Sequence, residues 1–273
     1  AIMPLLIDDV IRGVKYIVSL FNDNSTNLSG ERINRLDFFK RSAMVLGAFT
    51  LSTLSYGILV GRFDFKKHFV SLKLKNFKSK NPLKIVQISD MHLGSFQRID
   101  KLEEAVQIIN DEKPDLIFFT GDLVNNNAGE AYPFIDTLSK LKAKFGKYSV
   151  LGNHDYADYI GLNLATDEGK KLWQENHNEI LEIHHKSGFD LLLNENRQIE
   201  VEDQLINIVG VENWGDGRFS KYGDIEKAMK GVVSGKPTFL LSHDPTHWEN
   251  KVLQHDQKVD LQLAGHTHGM QFG

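Results

Sequence analysis

The sequence predicts an α/β layered fold with an antiparallel portion. From Pro82 onward, short apolar runs typical of buried strands alternate with segments whose apolar residues recur at helical spacing. Five short motifs with residues suited to metal binding nearly all follow such apolar runs. The chain has 273 residues, which is enough for one large domain and additional segments.

The predicted elements follow from the periodicity of each segment. Strands are predicted at residues 84–89, 115–120, 147–151, 238–241 and 261–263, with a hairpin formed by 199–201 and 205–211. Helices are predicted at residues 101–112, 130–144, 170–186 and 224–230, and Gly188 suits the end of the third.

Composition excludes several classes of function. The formal net charge is -4, so no general basic field favours a nucleic-acid partner. Cysteine is absent, which excludes disulfides, thiolate metal sites and a cysteine nucleophile. The residues do not determine the oligomeric state.

The N-terminal part of the sequence lacks the alternation of strand and helix patterns that is seen after Pro82. Residues 5–21 form a predicted amphipathic helix that either lies on a membrane surface or packs on another helix. Residues 42–61 contain no charged side chain over twenty positions, which predicts a transmembrane or signal-anchor helix. Three glycines and five Ser or Thr weaken its hydropathy, and a buried helix or an uncleaved export signal is the alternative.

The predicted organisation therefore has four parts. They are an N-terminal juxtamembrane segment at 1–41, the transmembrane helix at 42–61, a linker at 62–82 and an α/β domain at 83–273. This organisation places the protein at the plasma or inner membrane, with the extracytoplasmic side favoured for the domain. The chain begins at Ala1 and ends at Gly273 soon after its last motif, so we expect a fragment that is truncated at its C-terminus.

Five motifs at predicted strand ends contain the residues with metal-binding or acid–base chemistry. They are Asp90-Met91-His92, Gly121-Asp122, Gly152-Asn153-His154-Asp155, Ser242-His243 and Gly265-His266-Thr267-His268-Gly269. Singly, each reads as a turn or a core residue. Together they supply the carboxylate, imidazole and amide ligands of two adjacent metal ions, a kind of site that usually hydrolyses phosphate esters. Within the third motif, His154 can protonate a leaving alkoxide and Asp155 can orient that imidazole.

This ordered set resembles the calcineurin-like metallophosphoesterase superfamily over residues 84–273. The N-terminal arrangement is similar to its membrane-anchored bacterial branch, which includes enzymes that cleave UDP-2,3-diacylglucosamine in lipid A synthesis. The resemblance implies a four-layer α/β/β/α sandwich, here lacking its final strands. It also implies that Asp90, His92, Asp122 and His268 hold one metal, and that Asp122, Asn153, His243 and His266 hold the second.

The resemblance implies a dinuclear phosphoesterase that uses Mn, Fe or Zn, in which a metal-bridging hydroxide attacks and His154 aids the leaving group. The substrate is a phosphate ester or pyrophosphate, and a lipid-linked one such as UDP-2,3-diacylglucosamine fits the membrane segment. A phosphodiesterase or nuclease on the same scaffold and a non-catalytic scaffold module are the alternatives. Trp214 and Arg218, in a predicted loop, are candidate substrate contacts, and a solvent loop with one aromatic anchor is the other interpretation.

Overall fold

The computed structural model describes residues 15, 35–59, 61–96, 98–215, 217 and 219–268. The chain divides into two compact units, Ala1–Asp64 and Phe65–Gly273. Of the amphipathic helix predicted over residues 5–21, only Lys15 is described, and it is helical. The rest of that helix lies outside the described residues.

The first unit contains one long described helix, α1 (Arg35–Leu59), of 25 residues. Its large apolar side chains are exposed, among them Phe39, Phe49 and Leu54. Within the described part of the chain, no helix combines the length and apolar character needed to cross a membrane. The transmembrane helix predicted over residues 42–61 therefore gains no support from the structure, where glycine and hydroxyl side chains dilute the apolar sequence.

The second unit is built on two four-stranded sheets. The first contains the parallel strands β1 (Ile85–Ile88), β2 (Leu116–Phe119), β3 (Lys147–Ser149) and β4 (Asp190–Leu191), in that order. The second contains β5 (Glu195–Val201), β6 (Gln204–Gly210), β7 (Thr238–Leu241) and β8 (Leu261–Leu263). Strands β5 and β6 form an antiparallel hairpin, and the other pairs of this sheet are parallel.

The helices lie outside the two sheets. They are α2 (Ile99–Asp111), α3 (Ile135–Ser139) and α4 (Asp167–Lys186), followed by the short α5 (Ile225–Ala228) and α6 (His247–Asn250). Short 3-10 helices span Gly61–Phe63, Leu93–Ser95, Ala128–Glu130, Tyr132–Phe134, Asn153–Tyr156, Asp158–Ile160 and Val252–Gln254. The second unit is thus a mixed α/β fold with parallel sheets, as the sequence predicts.

Alternation along the strands builds the core on both faces of each sheet. In β2, Ile117 and Phe119 join α2, α3 and α4 in one apolar cluster, while Phe118 faces the second sheet. In β7, Phe239 packs with Phe118 in a second apolar cluster between the two sheets, the intersheet cluster. Leu240 joins α5 in a third cluster. Each central strand is therefore buried on both faces, which explains the continuous apolar runs.

Two predicted elements differ from the structure. The helix predicted over 130–144 is mostly a succession of short turns, with α3 as its regular α-helical part; Pro133 lacks the backbone N–H that a continuous helix needs. The hairpin begins earlier than predicted, because β5 starts at Glu195. The first residues of β5 are polar and partly exposed, so the sequence contains no apolar run there that would predict a strand.

The end of the predicted linker contacts the second unit. Leu74 and Phe77 pack against the intersheet cluster. Asn76 donates from Nδ2 to Asp260 Oδ2 over 2.8 Å and accepts at its backbone oxygen from Gln204 Nε2 over 2.6 Å. Residues 74–77 therefore belong to the packed unit, while the other predicted boundaries remain predictions.

Candidate metal centre

The five motifs meet at the carboxyl edge of the parallel strands. Asp90, Asp122 and Asn153 follow β1, β2 and β3, while His243 and His266 follow β7 and β8. Loops that leave parallel strands at the same edge lie close together, which is where open α/β sheets place ligands. The structure brings the predicted metal ligands together at this edge.

The first group of side chains with suitable ligand atoms contains Asp90, His92, Asp122 and His268, whose ligand atoms all lie within 4.8 Å of one another. The Nε2 atoms of His92 and His268 are 3.1 Å apart. His268 Nε2 lies 3.4 Å from Asp90 Oδ1, and His92 Nε2 lies 3.7 Å from Asp122 Oδ2. These atoms converge on one point, as they would around a bound ion.

The second group contains Asp122, His243 and His266, again within 4.8 Å. Asn153 lies beside this group, with its Oδ1 2.8 Å from His266 Nδ1, so that the amide oxygen can be a fourth ligand atom. Asp122 belongs to both groups. A carboxylate has two oxygens and can therefore serve two neighbouring metal ions at once.

Strained backbone is concentrated in this cluster. Five non-glycine site residues have left-handed φ angles: Asp90 (52°), His92 (44°), Asp122 (58°), His266 (70°) and His268 (51°). Such conformations cost on the order of 1–3 kcal/mol each and persist where surrounding contacts hold them. The left-handed turns let side chains from separate loops point toward a common centre.

Two motif glycines allow the loops to approach closely. A Cβ at Gly152 would collide with the carboxylate and backbone N of Asp122. Gly121 has a φ of +95°, and a Cβ there would lie 2.9 Å from His243 Nδ1. A methyl group at Gly152 would displace Asp122, and one at Gly121 would displace His243. Both positions therefore need glycine.

Charge is concentrated on the pair formed by Asp122 and His243. Both side chains are buried, and His243 Nε2 lies 3.1 Å from Asp122 Oδ2. Burial alone would lower the pKa of His243, but the Asp122 carboxylate outweighs it and raises that pKa to about 9. Burial opposes ionisation of Asp122 as well, and His243 outweighs it, so that the pKa of Asp122 is lowered.

The donor set has the chemistry of a metal site. It offers carboxylate, amide and imidazole atoms, which are common ligands of divalent metal ions. His243 Nδ1 lies 2.7 Å from the carbonyl oxygen of Thr120. Because a carbonyl only accepts, Nδ1 carries a proton, and Nε2 is the atom that would face an ion, which would displace any proton from it. Burial lowers the pKa values of His92 and His266, which favours the neutral ligand form.

His154 lies beside both groups. Its ring centroid is 4.7 Å from that of His92, and its backbone N donates to Asp122 Oδ1 over 2.9 Å. Its Nδ1 lies 2.6 Å from the carbonyl oxygen of Asn125. That contact orients the imidazole and directs Nε2 away from Asn125.

The structure corrects the predicted contact between Asp155 and His154. Asp155 is fully buried and accepts from the backbone N–H groups of Asp122, Leu123 and Gly152 over 2.8 to 3.0 Å. Burial and then the charge of Asp122 raise the pKa of Asp155 to about 7. Asp155 therefore organises the loop that carries Asp122, while the Asn125 carbonyl orients His154.

Of the two predicted substrate contacts, the structure describes only Trp214. Trp214 stacks on His247, with ring centroids 5.4 Å apart. His247 is buried and hydrogen-bonds through Nδ1 with Ser242 Oγ over 2.9 Å, so Trp214 anchors its loop on this packed histidine. Arg218 lies outside the described residues. Contact of either residue with substrate remains a prediction.

Sequence reasoning missed two aromatic residues at the site. Tyr159 stacks on His154 with centroids 4.2 Å apart, and Phe219 meets His266 edge-on at 4.8 Å. Phe219 directly follows Arg218 in the predicted loop that contains Trp214 and Arg218. Tyr159 follows the third motif closely, but nothing in its local pattern shows that the chain turns back.

Comparison with known proteins identifies the family of this chain. The Calcineurin-like phosphoesterase family model matches residues 83–270. This range contains both sheets and all the candidate ligands. The chain therefore belongs to the calcineurin-like phosphoesterase family.

Several curated proteins are similar to this chain. An uncharacterized metallophosphoesterase of Aquifex aeolicus is 34% identical over 190 residues, covering 68% of this chain and 63% of that protein. A zebrafish (Danio rerio) transmembrane protein with a metallophosphoesterase domain is 30% identical, over 71% of this chain and 42% of its own length. UDP-2,3-diacylglucosamine pyrophosphatase LpxG of Chlamydia muridarum is 29% identical, over 72% and 67% respectively. The match thus spans less than two thirds of the first two relatives.

Proposed function

We propose that this protein is a dinuclear metal-dependent phosphoesterase that hydrolyses a phosphate ester or pyrophosphate bond. The main support is the pair of ligand groups that share Asp122. Metal ions held by these residues would neutralise phosphoryl oxygens and supply a nucleophile at neutral pH. Asp90, His92, Asp122 and His268 would hold one ion, and Asp122, Asn153, His243 and His266 the other.

His154 serves the leaving group in this proposal. Nδ1–H of His154 donates a hydrogen bond to the Asn125 carbonyl oxygen, so Nε2 is the ring atom that can present a proton to a departing oxygen. Asp155 acts indirectly, by holding the backbone of Asp122 and Leu123.

We propose a lipid-linked pyrophosphate, of the kind that UDP-2,3-diacylglucosamine represents, as the substrate class. The similarity to LpxG supports it. A second support is the exposure of apolar side chains in the segment after the third motif: Tyr159 is 46% exposed, Ile160 43% and Leu164 44%. Exposed apolar groups beside a polar site suit a substrate that combines a phosphate with acyl chains.

We further propose that the protein works at a membrane. The zebrafish relative is described as a transmembrane protein, and helix α1 exposes apolar side chains along its length. Fractionation of the full-length protein in its host tests this point. Recovery in the soluble fraction at high and low salt contradicts it.

A substrate panel tests the proposed activity. The full-length protein, loaded with Mn, Fe or Zn, is assayed on an aryl phosphodiester, a phosphomonoester and UDP-2,3-diacylglucosamine. Turnover of the lipid-linked pyrophosphate at the highest kcat/KM supports the substrate class, while preference for the diester indicates a phosphodiesterase or nuclease. Absence of turnover with every metal, or activity that survives a chelator, contradicts the dinuclear phosphoesterase.

Two variants separate metal binding from chemistry. His154→Asn is expected to lower kcat by about 10²- to 10⁴-fold with unchanged metal content, because it removes the proton donor. Asp122→Asn is expected to lose bound metal, measured by elemental analysis. His185→Asn, an exposed histidine on α4, is the matched control and should behave as the wild type. Normal turnover in Asp122→Asn contradicts the shared-ligand arrangement.

A further inference from the structure

Tyr159 lies against two members of the third motif at once. Its ring stacks on the imidazole of His154 with centroids 4.2 Å apart and an angle of 17° between the planes. Its hydroxyl accepts a hydrogen bond from Asn153 Nδ2 over 2.7 Å. One side chain therefore contacts both the proposed proton donor and a proposed metal ligand.

Core packing does not explain this position. Tyr159 is 46% exposed, so its stacking on His154 buries only part of the ring. The chain reaches this position through a left-handed turn at the buried Ala157, which has a φ of 60°. The backbone thus adopts a costly conformation that returns an exposed tyrosine to the site.

The hydroxyl of Tyr159 sets which end of the Asn153 amide faces the metal groups. A primary amide has one oxygen and one NH₂ group on opposite sides. Because Nδ2 donates to Tyr159, Oδ1 points toward His266, 2.8 Å from its Nδ1. A neutral amide binds a metal ion through its oxygen and not through its NH₂ group. The observed orientation of Asn153 is therefore the one that metal binding requires.

A second loop braces the turn that carries Tyr159. Ser220 Oγ donates a hydrogen bond to the carboxylate of Asp158, and Asn213 Nδ2 donates to the backbone oxygen of Ser220 over 2.9 Å. The neighbouring Phe219 contacts His266 edge-on. Each of the two loops thus holds one aromatic ring against a histidine of the candidate centre.

We propose that Tyr159 is a positioning residue that orients His154 through its ring and Asn153 through its hydroxyl. The first part rests on the proposed function, because it requires that His154 serve the leaving group. The two contacts are separable, since phenylalanine keeps the ring and removes the hydroxyl.

The hydroxyl contact is tested by metal binding alone. Titration calorimetry of Mn²⁺ into the metal-free full-length protein should show that Tyr159→Phe weakens one of two binding steps by about fivefold, as loss of one hydrogen bond predicts. Tyr132→Phe is the control, because Tyr132 is comparably exposed at 49% and lies outside the cluster. Two unchanged binding steps in Tyr159→Phe overturn the role of the hydroxyl.

The ring contact is tested by a double-mutant cycle on two phosphodiesters. An alkyl leaving group needs a proton, whereas a nitrophenyl leaving group does not. The reference for the ring is Tyr159→Phe, which already lacks the hydroxyl. Compared with Tyr159→Phe at saturating Mn²⁺, Tyr159→Leu should lower kcat on the alkyl ester by about two- to tenfold and leave the nitrophenyl ester nearly unchanged. In a His154→Asn background, the change from phenylalanine to leucine at position 159 should have no further effect on the alkyl ester.

Other results lead to different conclusions. Equal losses on both esters, or additive losses in the His154→Asn background, overturn the role of the ring. Absence of turnover in the wild type overturns that role together with the proposed function. The Mn²⁺ titration of Tyr159→Phe is independent of turnover, so it decides the hydroxyl contact in either case.

Discussion

At the scale of single residues, the site depends on backbone groups as much as on side chains. The carbonyl oxygens of Thr120 and Asn125 orient His243 and His154. The sequence identifies the imidazoles, because histidines at strand ends are unusual. It does not identify these carbonyls, because every residue has one and only the folded loops decide which faces a histidine.

The first prediction concerns the close contact between Gly152 and the Asp122 carboxylate. Replacing Gly152 by alanine puts a methyl group where the Asp122 carboxylate lies, so we expect Gly152→Ala to lose bound metal and activity together. Elemental analysis and turnover measure this. Gly235→Ala is the control, because no atom lies within 4 Å of its added Cβ although its φ is +77°. The control should lose stability through backbone strain yet keep its metal.

Asp155 gives a prediction that distinguishes a structural role from a catalytic one. Asp155→Asn turns one acceptor oxygen into a donor that faces backbone N–H groups, so the free energy of unfolding should fall by about 1–3 kcal/mol. Metal affinity should weaken with it, because Asp122 loses its support. Denaturant unfolding and calorimetry measure the two effects. A variant of normal stability with only kcat reduced would instead support the orienting role that the sequence predicted.

At the scale of secondary structure elements, periodicity predicted the long helices and the strands with apolar runs. Helix α4 was predicted at residues 170–186 and extends three residues further at its start, to Asp167. The added turn is polar and has no apolar pattern. Its N-cap, Thr166, is a residue type that commonly begins helices, but deciding among neighbouring polar residues required the structure.

The N-cap of α4 gives a prediction about stability. Thr166 Oγ accepts a hydrogen bond from Gly169 N over 3.1 Å. Thr166→Ala should lower the free energy of unfolding by about 1 kcal/mol with unchanged kcat, because the cap lies outside the ligand groups. Urea unfolding and turnover measure these quantities. Thr166→Ser retains the oxygen and should restore stability; equal destabilisation by serine would show that the hydroxyl bond is not the cause.

At the scale of the whole molecule, buried histidines make folding sensitive to acid. His184 is fully buried between Phe119 and Phe189, and Ser149 Oγ lies 2.9 Å from its Nδ1. Burial lowers the pKa of His184 to about 3 and that of His247 to about 4. In the unfolded chain a histidine has a pKa near 6.5. Below that pH the unfolded state binds protons that the folded state excludes, so stability falls as pH falls.

This linkage gives a prediction about pH. Between pH 6.5 and 5, His184 alone should remove about 2 kcal/mol from the free energy of unfolding. His184→Leu should therefore show a smaller loss between these two pH values, whatever its stability at pH 7. Urea unfolding at each pH measures the slope, with the exposed His185→Leu as the control. An unchanged slope in His184→Leu would mean that this histidine is not neutral in the fold.

The sequence by itself determined the layered α/β class and the ligand types. Strand periodicity is local, and the order of Asp, Asn and His residues after the strands is readable without coordinates. Only the tertiary structure decided that Asp155 binds backbone N–H groups, that Asn125 orients His154 and that Tyr159 and Phe219 flank the centre. Those contacts join loops from different strands, and their geometry depends on left-handed turns at Asp90, Asp122, Ala157 and His266. Local pattern contains no information about such turns, because they persist through the surrounding packing and not through the intrinsic preference of the residues.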